Sequence, residues 1–150
     1  MKTYSITDTG ILREMNQDYF FASDEPVGNL PNLYIVADGM GGHKAGDYAS
    51  RYTTQRIVAS VSRSSGEEPV TILKEAITTA NRLLITEAAE DEAKKGMGTT
   101  LVAATIIDGR LYVANVGDSR LYIIGTDGIR QITRDHSCLL YTSPSPRDCS

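Results

Sequence analysis

The run Leu33-Tyr34-Ile35-Val36-Ala37-Asp38-Gly39-Met40-Gly41-Gly42-His43 constrains this chain more than any other stretch. Leu33 to Ala37 is apolar at both parities, the pattern of a central strand covered on both faces, and Asp38 is expected to end it. A carboxylate at the end of such a strand is costly unless a cation or hydrogen-bond donors compensate it. The residues behind it let backbone approach an ion: Gly39 can present its carbonyl, and Gly41-Gly42 can take angles closed to other residues. A second apolar strand runs into Val116-Gly117-Asp118-Ser119-Arg120, so two hard oxygen ligands are expected at the ends of two strands. Carboxylate, carbonyl and water sets suit Mg²⁺ or Mn²⁺ and disfavour zinc.

With 150 residues the chain is one domain or part of one, long enough to bury roughly two-thirds of its unfolded surface without disulfide staples. Fifteen basic against nineteen acidic residues give a net charge of -4, which argues against a nucleic-acid partner while leaving room for a local phosphate site. No apolar stretch approaches the roughly 20 residues that span a bilayer, and Met1-Lys2-Thr3-Tyr4 leads into no signal-peptide core, so no membrane role and a cytoplasmic location are expected. Both cysteines, Cys138 and Cys149, fall at the far end, leaving no disulfide framework or zinc cluster elsewhere. From Cys138 to Ser150 the composition shifts abruptly to Ser, Pro and Cys with no helical or strand period. Residues 138–150 therefore read as a non-native or disordered tail, and residues 1–137 as the domain portion.

Short β-rich runs are expected at Tyr4 to Thr7 and Tyr19 to Ala22, flanking a polar loop with Arg13 and Asp18. Helical spacing predicts one helix from Ala45 to about Ser62 and a second from Pro69 through Leu73, Ala76, Ile77, Ala80, Leu84 and Ala88. The charge run Glu87 to Lys95 reads as a solvated helix end. Four strands follow at Thr99 to Ile107, Arg110 to Val116, Leu121 to Ile124 and Ile129 to Thr133, with Asp108-Gly109 a two-residue hairpin signal. Two helices between groups of hairpin-connected strands describe an α+β fold. Strands apolar on both faces demand cover on both sides, as in a four-layer sandwich with helices outside two sheets.

Within the loop Arg13-Glu14-Met15-Asn16-Gln17-Asp18, Arg13 offers a guanidinium fork that matches a phosphate, or else is a solvated surface arginine. Asp18 either orients water at a metal or makes a local turn bond. His43, past the glycine loop, either protonates a leaving alkoxide or caps the helix behind it. Asp127-Gly128 reads as a plain turn. Arg134-Asp135-His136-Ser137 does not make a Ser/His/Asp triad, because adjacent residues cannot stack into nucleophile, base and orienter.

Five segments stand in a telling order: Arg13-Glu14-Met15-Asn16-Gln17-Asp18, Ala37-Asp38-Gly39-Met40-Gly41-Gly42-His43, Gly96-Met97-Gly98-Thr99-Thr100, Asn115-Val116-Gly117-Asp118-Ser119-Arg120 and Thr133-Arg134-Asp135-His136-Ser137. From Met1 to about Ser137 the chain resembles the N-terminal part of a bacterial metal-dependent protein phosphatase of the PPM (PP2C-like) family. The resemblance implies a C-terminally truncated four-layer sandwich, helices outside two mainly antiparallel sheets, with two or three Mn²⁺ or Mg²⁺ ions in the complete domain. It implies that Asp38 bridges two metals, that Gly39 supplies a carbonyl, that Asp118 lies at a weaker third-metal position, that Asp18 supports the metal-bound water and that Arg13 binds the substrate phosphate. Gly98-Thr99-Thr100 and Asp135-His136-Ser137 match motifs whose roles look structural. Implied substrates are phosphoserine and phosphothreonine proteins, with a bacterial serine/threonine kinase as counterpart and a monomer as the assembly.

The family's remaining ligand aspartates lie beyond Asp135-His136-Ser137, and nothing between Cys138 and Ser150 matches them. A catalytically inactive fragment or regulatory phosphoprotein-binding module is therefore the rival expectation. A glycine-loop nucleotide binder is weaker, since Gly39-Met40-Gly41-Gly42 lacks the Gly-Lys-Ser/Thr ending that cradles a phosphate.

Overall fold

The computed structural model describes residues 4, 17–42 and 44–133, and the backbone of 138–142. Its strands are β1 (Asp18–Ser23), β2 (Leu33–Met40), β3 (Gly98–Ile107), β4 (Arg110–Val116), β5 (Tyr122–Gly125), β6 (Gly128–Gln131) and β7 (Cys138–Thr142). The helices are α1 (Ala45–Ser62) and α2 (Pro69–Glu90), with a short 3₁₀ turn at Glu92–Lys94. Five strands form one antiparallel sheet in the order β1-β2-β3-β4-β7, and β5-β6 is a separate hairpin.

Alternation along β2 divides the sheet into two faces. Leu33, Ile35 and Ala37 join Leu101 and Ala103 of β3 against Ile57 and Val61 of α1 and Leu73 and Ala76 of α2, which is the main core. On the other face Val102, Ala104 and Val113 are covered by Ile132 and Leu121, which flank the β5-β6 hairpin. Phe20 and Val36, opposite each other in β1 and β2 on that second face, are 42% and 55% exposed. The described residues thus make one helical layer, one large sheet and a partial third layer. Asp108 (φ 52°) and Gly109 (φ 75°) both take left-handed angles, the requirement of the type I′ turn that their dipeptide signals between β3 and β4.

The start of β2 is fixed by one buried side chain. Asn32 donates from Nδ2 to the Ile106 carbonyl at 2.9 Å, while its Oδ1 accepts from the Ile106 N–H at 2.8 Å and from Thr105 Oγ1 at 3.0 Å. Replacing it leaves buried backbone groups without partners, which costs about 1–3 kcal/mol for each stranded group. We expect Asn32→Ala to lower the melting temperature by roughly 5–10 °C. A thermal melt followed by circular dichroism checks this; an unchanged midpoint removes the network from the account of how β2 is seated.

Several boundaries differ from the sequence reading, beginning with β1, which opens on Asp18 itself rather than leaving it in the preceding loop. Strand β2 does not stop at Asp38 but continues to Met40, because Gly39 and Met40 keep pairing with Thr99 and Gly98 of β3. Strand β5 starts one residue inside its expected run and β6 stops two residues inside its own, since Leu121 and Ile132 leave the ladder to join the buried cluster, while each strand reaches one residue further towards the turn between them. At the charge run, Lys94 pairs with Glu87 at 3.1 Å and lies over the Tyr48 ring, and Tyr48 donates to Glu87 at 2.9 Å. The Lys94 hydrogen bond, followed by that of Tyr48, holds the Glu87 carboxyl below its usual range. This cluster ties α2 and the 3₁₀ turn to α1. Residues 138–142 pair with β4 where no strand was expected; an open strand edge accepts any extended backbone, so the pairing fixes local conformation and not the origin of the tail. The strand expected at Tyr4 to Thr7 lies, Tyr4 apart, outside the described residues.

Candidate metal centre

The sheet register places the carboxylates in a row. Asp38 stands directly opposite Asp18 of β1 on one side and Thr100 of β3 on the other, so all three side chains share one face. Facing residues of an antiparallel pair hold their Cβ atoms about 4.5–5.5 Å apart, and like charges at that separation repel. Both aspartates are half-buried. Two carboxylates brought together in this way suit a hard divalent cation, which takes oxygen donors and neutralises their repulsion.

Behind the row, the chain closes backbone to backbone. The Gly39 N–H donates to the Gln17 carbonyl at 3.0 Å, and the same carbonyl accepts from Ser50 Oγ of α1 at 2.7 Å. Gln17 also donates from Nε2 to the Gly41 carbonyl at 3.5 Å. A Cβ on Gly39 would lie 1.8 Å from the Gly46 carbonyl oxygen, so glycine is required where β2 meets the first turn of α1. Gln17 thereby anchors Asp18, its neighbour in sequence, to both the glycine loop and the helix.

Asp118 lies exposed in the turn after β4. Gly117 before it takes φ 93°, and its α-carbon abuts Thr100, whose Cγ2 would be 2.8 Å from an added Cβ. Ser119 after it shares a hydrogen bond with Thr100 through their hydroxyls, and Thr100 Oγ1 lies 3.5 Å from the Asp38 carbonyl. Thr100 thus touches residues on both sides of Asp118 while pairing with Asp38. Sequence reasoning gave no role to Gln17 or Ser119 and only a structural one to Thr100. The glycines at 39 and 117 were the available signal, since each marks a close approach.

Arg13, His43 and His136 lie outside the described residues. Among the described residues no three His, Cys, Asp or Glu side chains converge into one ligand set. The described contribution is therefore the Asp18–Asp38 pair, the Gly39 backbone beside it and the Asp118 turn. No helix among the described residues is long and apolar enough to cross a membrane.

The family described as Protein phosphatase 2C matches residues 10–139 of this sequence. The chain belongs to that family. As a protein phosphatase 2C chain it is 39% identical over 135 residues to the serine/threonine phosphatase stp of Listeria welshimeri, covering 87% of this chain and 53% of that one. The structure of the serine/threonine phosphatase Stp1 from Staphylococcus aureus matches with a TM-score of 0.77 and 38% identity, over 87% of this chain and 52% of that one. The catalytic domain of the serine/threonine protein phosphatase PstP, in complex with two manganese ions, matches with a TM-score of 0.73 and 31% identity, over 85% and 53%. The mixed fold with antiparallel sheets and two helices is thus that of protein phosphatase 2C structures. The chain spans about half the length of the curated relatives it matches.

Proposed function

We propose that this chain carries the N-terminal half-site of a metal-dependent protein serine/threonine phosphatase, and that phosphoserine and phosphothreonine on proteins are its substrates. The observation that carries this reading is the cross-strand Asp18–Asp38 pair inside a protein phosphatase 2C fold. Asp38 and the Gly39 carbonyl would hold Mn²⁺ or Mg²⁺, with Asp118 supplying a further, weaker position. Such ions, when bound, neutralise charge on phosphoryl oxygens and lower the pKa of water to near neutrality. Asp18 orients the attacking water, Arg13 binds the substrate phosphate in its guanidinium fork, and His43 donates a proton to the leaving alkoxide. A bacterial serine/threonine kinase is the counterpart that makes the substrate, and a cytoplasmic monomer is the form in which we expect the protein to work.

A second reading, a non-catalytic phosphoprotein-binding module, is favoured by the absence of a third converging metal-ligating side chain among the described residues. Hydrolysis of a small aryl phosphate and of a phosphothreonine peptide by the 150-residue chain, with and without millimolar Mn²⁺, separates the two. We expect manganese-dependent turnover that Asp38→Asn abolishes. A folded chain that releases no phosphate under any metal condition leaves the binding module as the function.

A further inference from the structure

A cavity of about 530 Å³ lies between α2 and the sheet. Leu101 and Val116, a cross-strand pair of β3 and β4, line it from the sheet, Ile77, Leu84 and Ile85 line it from α2, and Thr53 of α1 adds to the wall. It occupies the seam between two apolar clusters. Leu73, Ala76 and Ala80 hold α2 in the main core with Leu101, whereas Leu84 packs in a separate cluster with Ala45, Ala49 and Met97. Between the two, Asn81 puts an amide on the stretch of α2 that borders the cavity, where an apolar side chain would have joined the clusters.

The lining sets the chemistry of an occupant. Among the described residues no charged side chain lines the cavity, so a charged ligand would lose its water with no counter-charge to meet it. The polar groups are the Asn81 amide and threonine hydroxyls, of which Thr53 is the informative one. Thr53 is 7% exposed, and its Oγ1 is buried without a hydrogen-bond partner among the described residues. Hydroxyls elsewhere in the same two helices donate to the carbonyl four residues before them: Ser62 to Val58 at 2.7 Å, and Thr86 to Arg82 at 3.1 Å. Thr53 makes no such bond, although helical threonines can, and a buried hydroxyl without a partner is both uncommon and costly. Rotation about χ1 exchanges its methyl and hydroxyl at the wall, so an occupant can supply the missing partner.

From the volume, the uncharged lining and the Thr53 hydroxyl we infer that the cavity is a binding site for an uncharged, mainly apolar small molecule with one hydroxyl or carbonyl group, anchored on Thr53. Small-molecule sites hold about 300–1,000 Å³ and combine an apolar lining with a few hydrogen-bonding groups. The same lining disfavours a phosphate, which separates this site from the phosphoester chemistry proposed for the Asp18–Asp38 end. The two are nonetheless joined by the sheet. Met40 and Gly98 both line the cavity and pair with each other in the ladder that pairs Asp38 with Thr100, so an occupant braces α2 against that ladder.

The test titrates 2-naphthol, neutral and carrying one hydroxyl, and 2-naphthoate, its charged counterpart, into the 150-residue chain labelled with ¹³C at the isoleucine δ-methyls. We expect 2-naphthol to shift the Ile77 and Ile85 signals along a saturable curve, equally with Mn²⁺ and with chelator. Ile123, Ile124 and Ile129 of the β5-β6 hairpin, also exposed, should not move. Thr53→Val keeps the branched shape and removes the hydroxyl; it should weaken 2-naphthol binding about five- to tenfold, and Thr53→Ser should restore it. Without ligand, Thr53→Val should melt at or above the wild-type midpoint, because no partner is lost. Absence of a saturable shift at Ile77 and Ile85 overturns the site, whether the cavity closes in solution or another segment of this chain fills it. Shifts shared with the hairpin isoleucines mean adsorption to apolar surface and overturn it equally. Equal affinity for 2-naphthoate refutes the uncharged class. Unchanged affinity in Thr53→Val, or a lowered midpoint of that variant without ligand, refutes the anchor.

Discussion

Millimolar Mn²⁺ is expected to raise the melting temperature of the wild-type chain by about 5–10 °C, and Asp38→Asn to abolish the rise. Asp18 and Asp38 face each other across two paired strands, so folding brings two carboxylates together that the unfolded chain keeps apart. A cation that needs both of them binds the folded state and not the unfolded one. Present at about one hundred times its dissociation constant, such a ligand stabilises by about 2.7 kcal/mol. For a chain of this length each kcal/mol moves the midpoint by about 2–4 °C, which gives the stated range. Asp18→Asn should blunt the response as well, since it removes the facing negative charge and one of its two oxygen donors. Asp127→Asn, in the exposed turn between β5 and β6, should leave it intact and serves as the control for nonspecific binding to an acidic chain. A wild-type midpoint indifferent to Mn²⁺ and Mg²⁺ alike would remove the cation from the account of why the two aspartates face each other.

What the sequence conveyed and what it withheld divide along the range of the interactions. Helices 45–62 and 69–90 and the Asp108-Gly109 hairpin are local patterns: side chains repeat at helical spacing, or two adjacent residues tolerate positive φ. Each was legible within a short window. Strand β2 was legible up to Ala37, but the aspartate and glycine after it carry the composition of a turn, and only pairing with Gly98 and Thr99, some sixty residues away, keeps them extended. The two aspartates were legible as separate candidates, whereas their confrontation is a property of register, which no single segment contains. Thr100 and Ser119 were missed for the same reason: hydroxyl residues at strand ends are ordinary, and their significance lies in touching each other around Asp118. Gly42 shows the opposite error. It reads as one half of a glycine pair needed for unusual angles, yet Gly41 takes the positive φ of 149° and Gly42 is absent from the positive-φ residues.

Those glycines lead to the second large effect, a loss of about 3 kcal/mol or more of stability in Gly39→Ala against a change within about 0.5 kcal/mol in Gly42→Ala. The substitutions are chemically identical and three residues apart, and differ only in what the new methyl meets. At Gly42 no atom of the described residues lies within 4 Å of the new methyl, which leaves it room among them. At Gly39 it would lie 1.8 Å from the Gly46 carbonyl oxygen and 3.0 Å from that of Gln17. Both are backbone atoms, so no rotamer change relieves the clash. Strand β2 cannot yield, because it is hydrogen-bonded to β1 and β3 on its two sides. Helix α1 cannot easily yield either, since Ile57 and Val61 hold it in the main core. The first turn of α1 must therefore swing outward, breaking the Ser50 bond to the Gln17 carbonyl and releasing the segment that anchors Asp18. Urea unfolding distinguishes the outcomes: Gly39→Ala should shift the midpoint sharply downward with the slope unchanged, and should lose its Mn²⁺ response at the same time. If Gly39→Ala keeps the wild-type midpoint, close approach is not why glycine follows Asp38, and the carbonyl of that residue can be presented to a cation by any side chain.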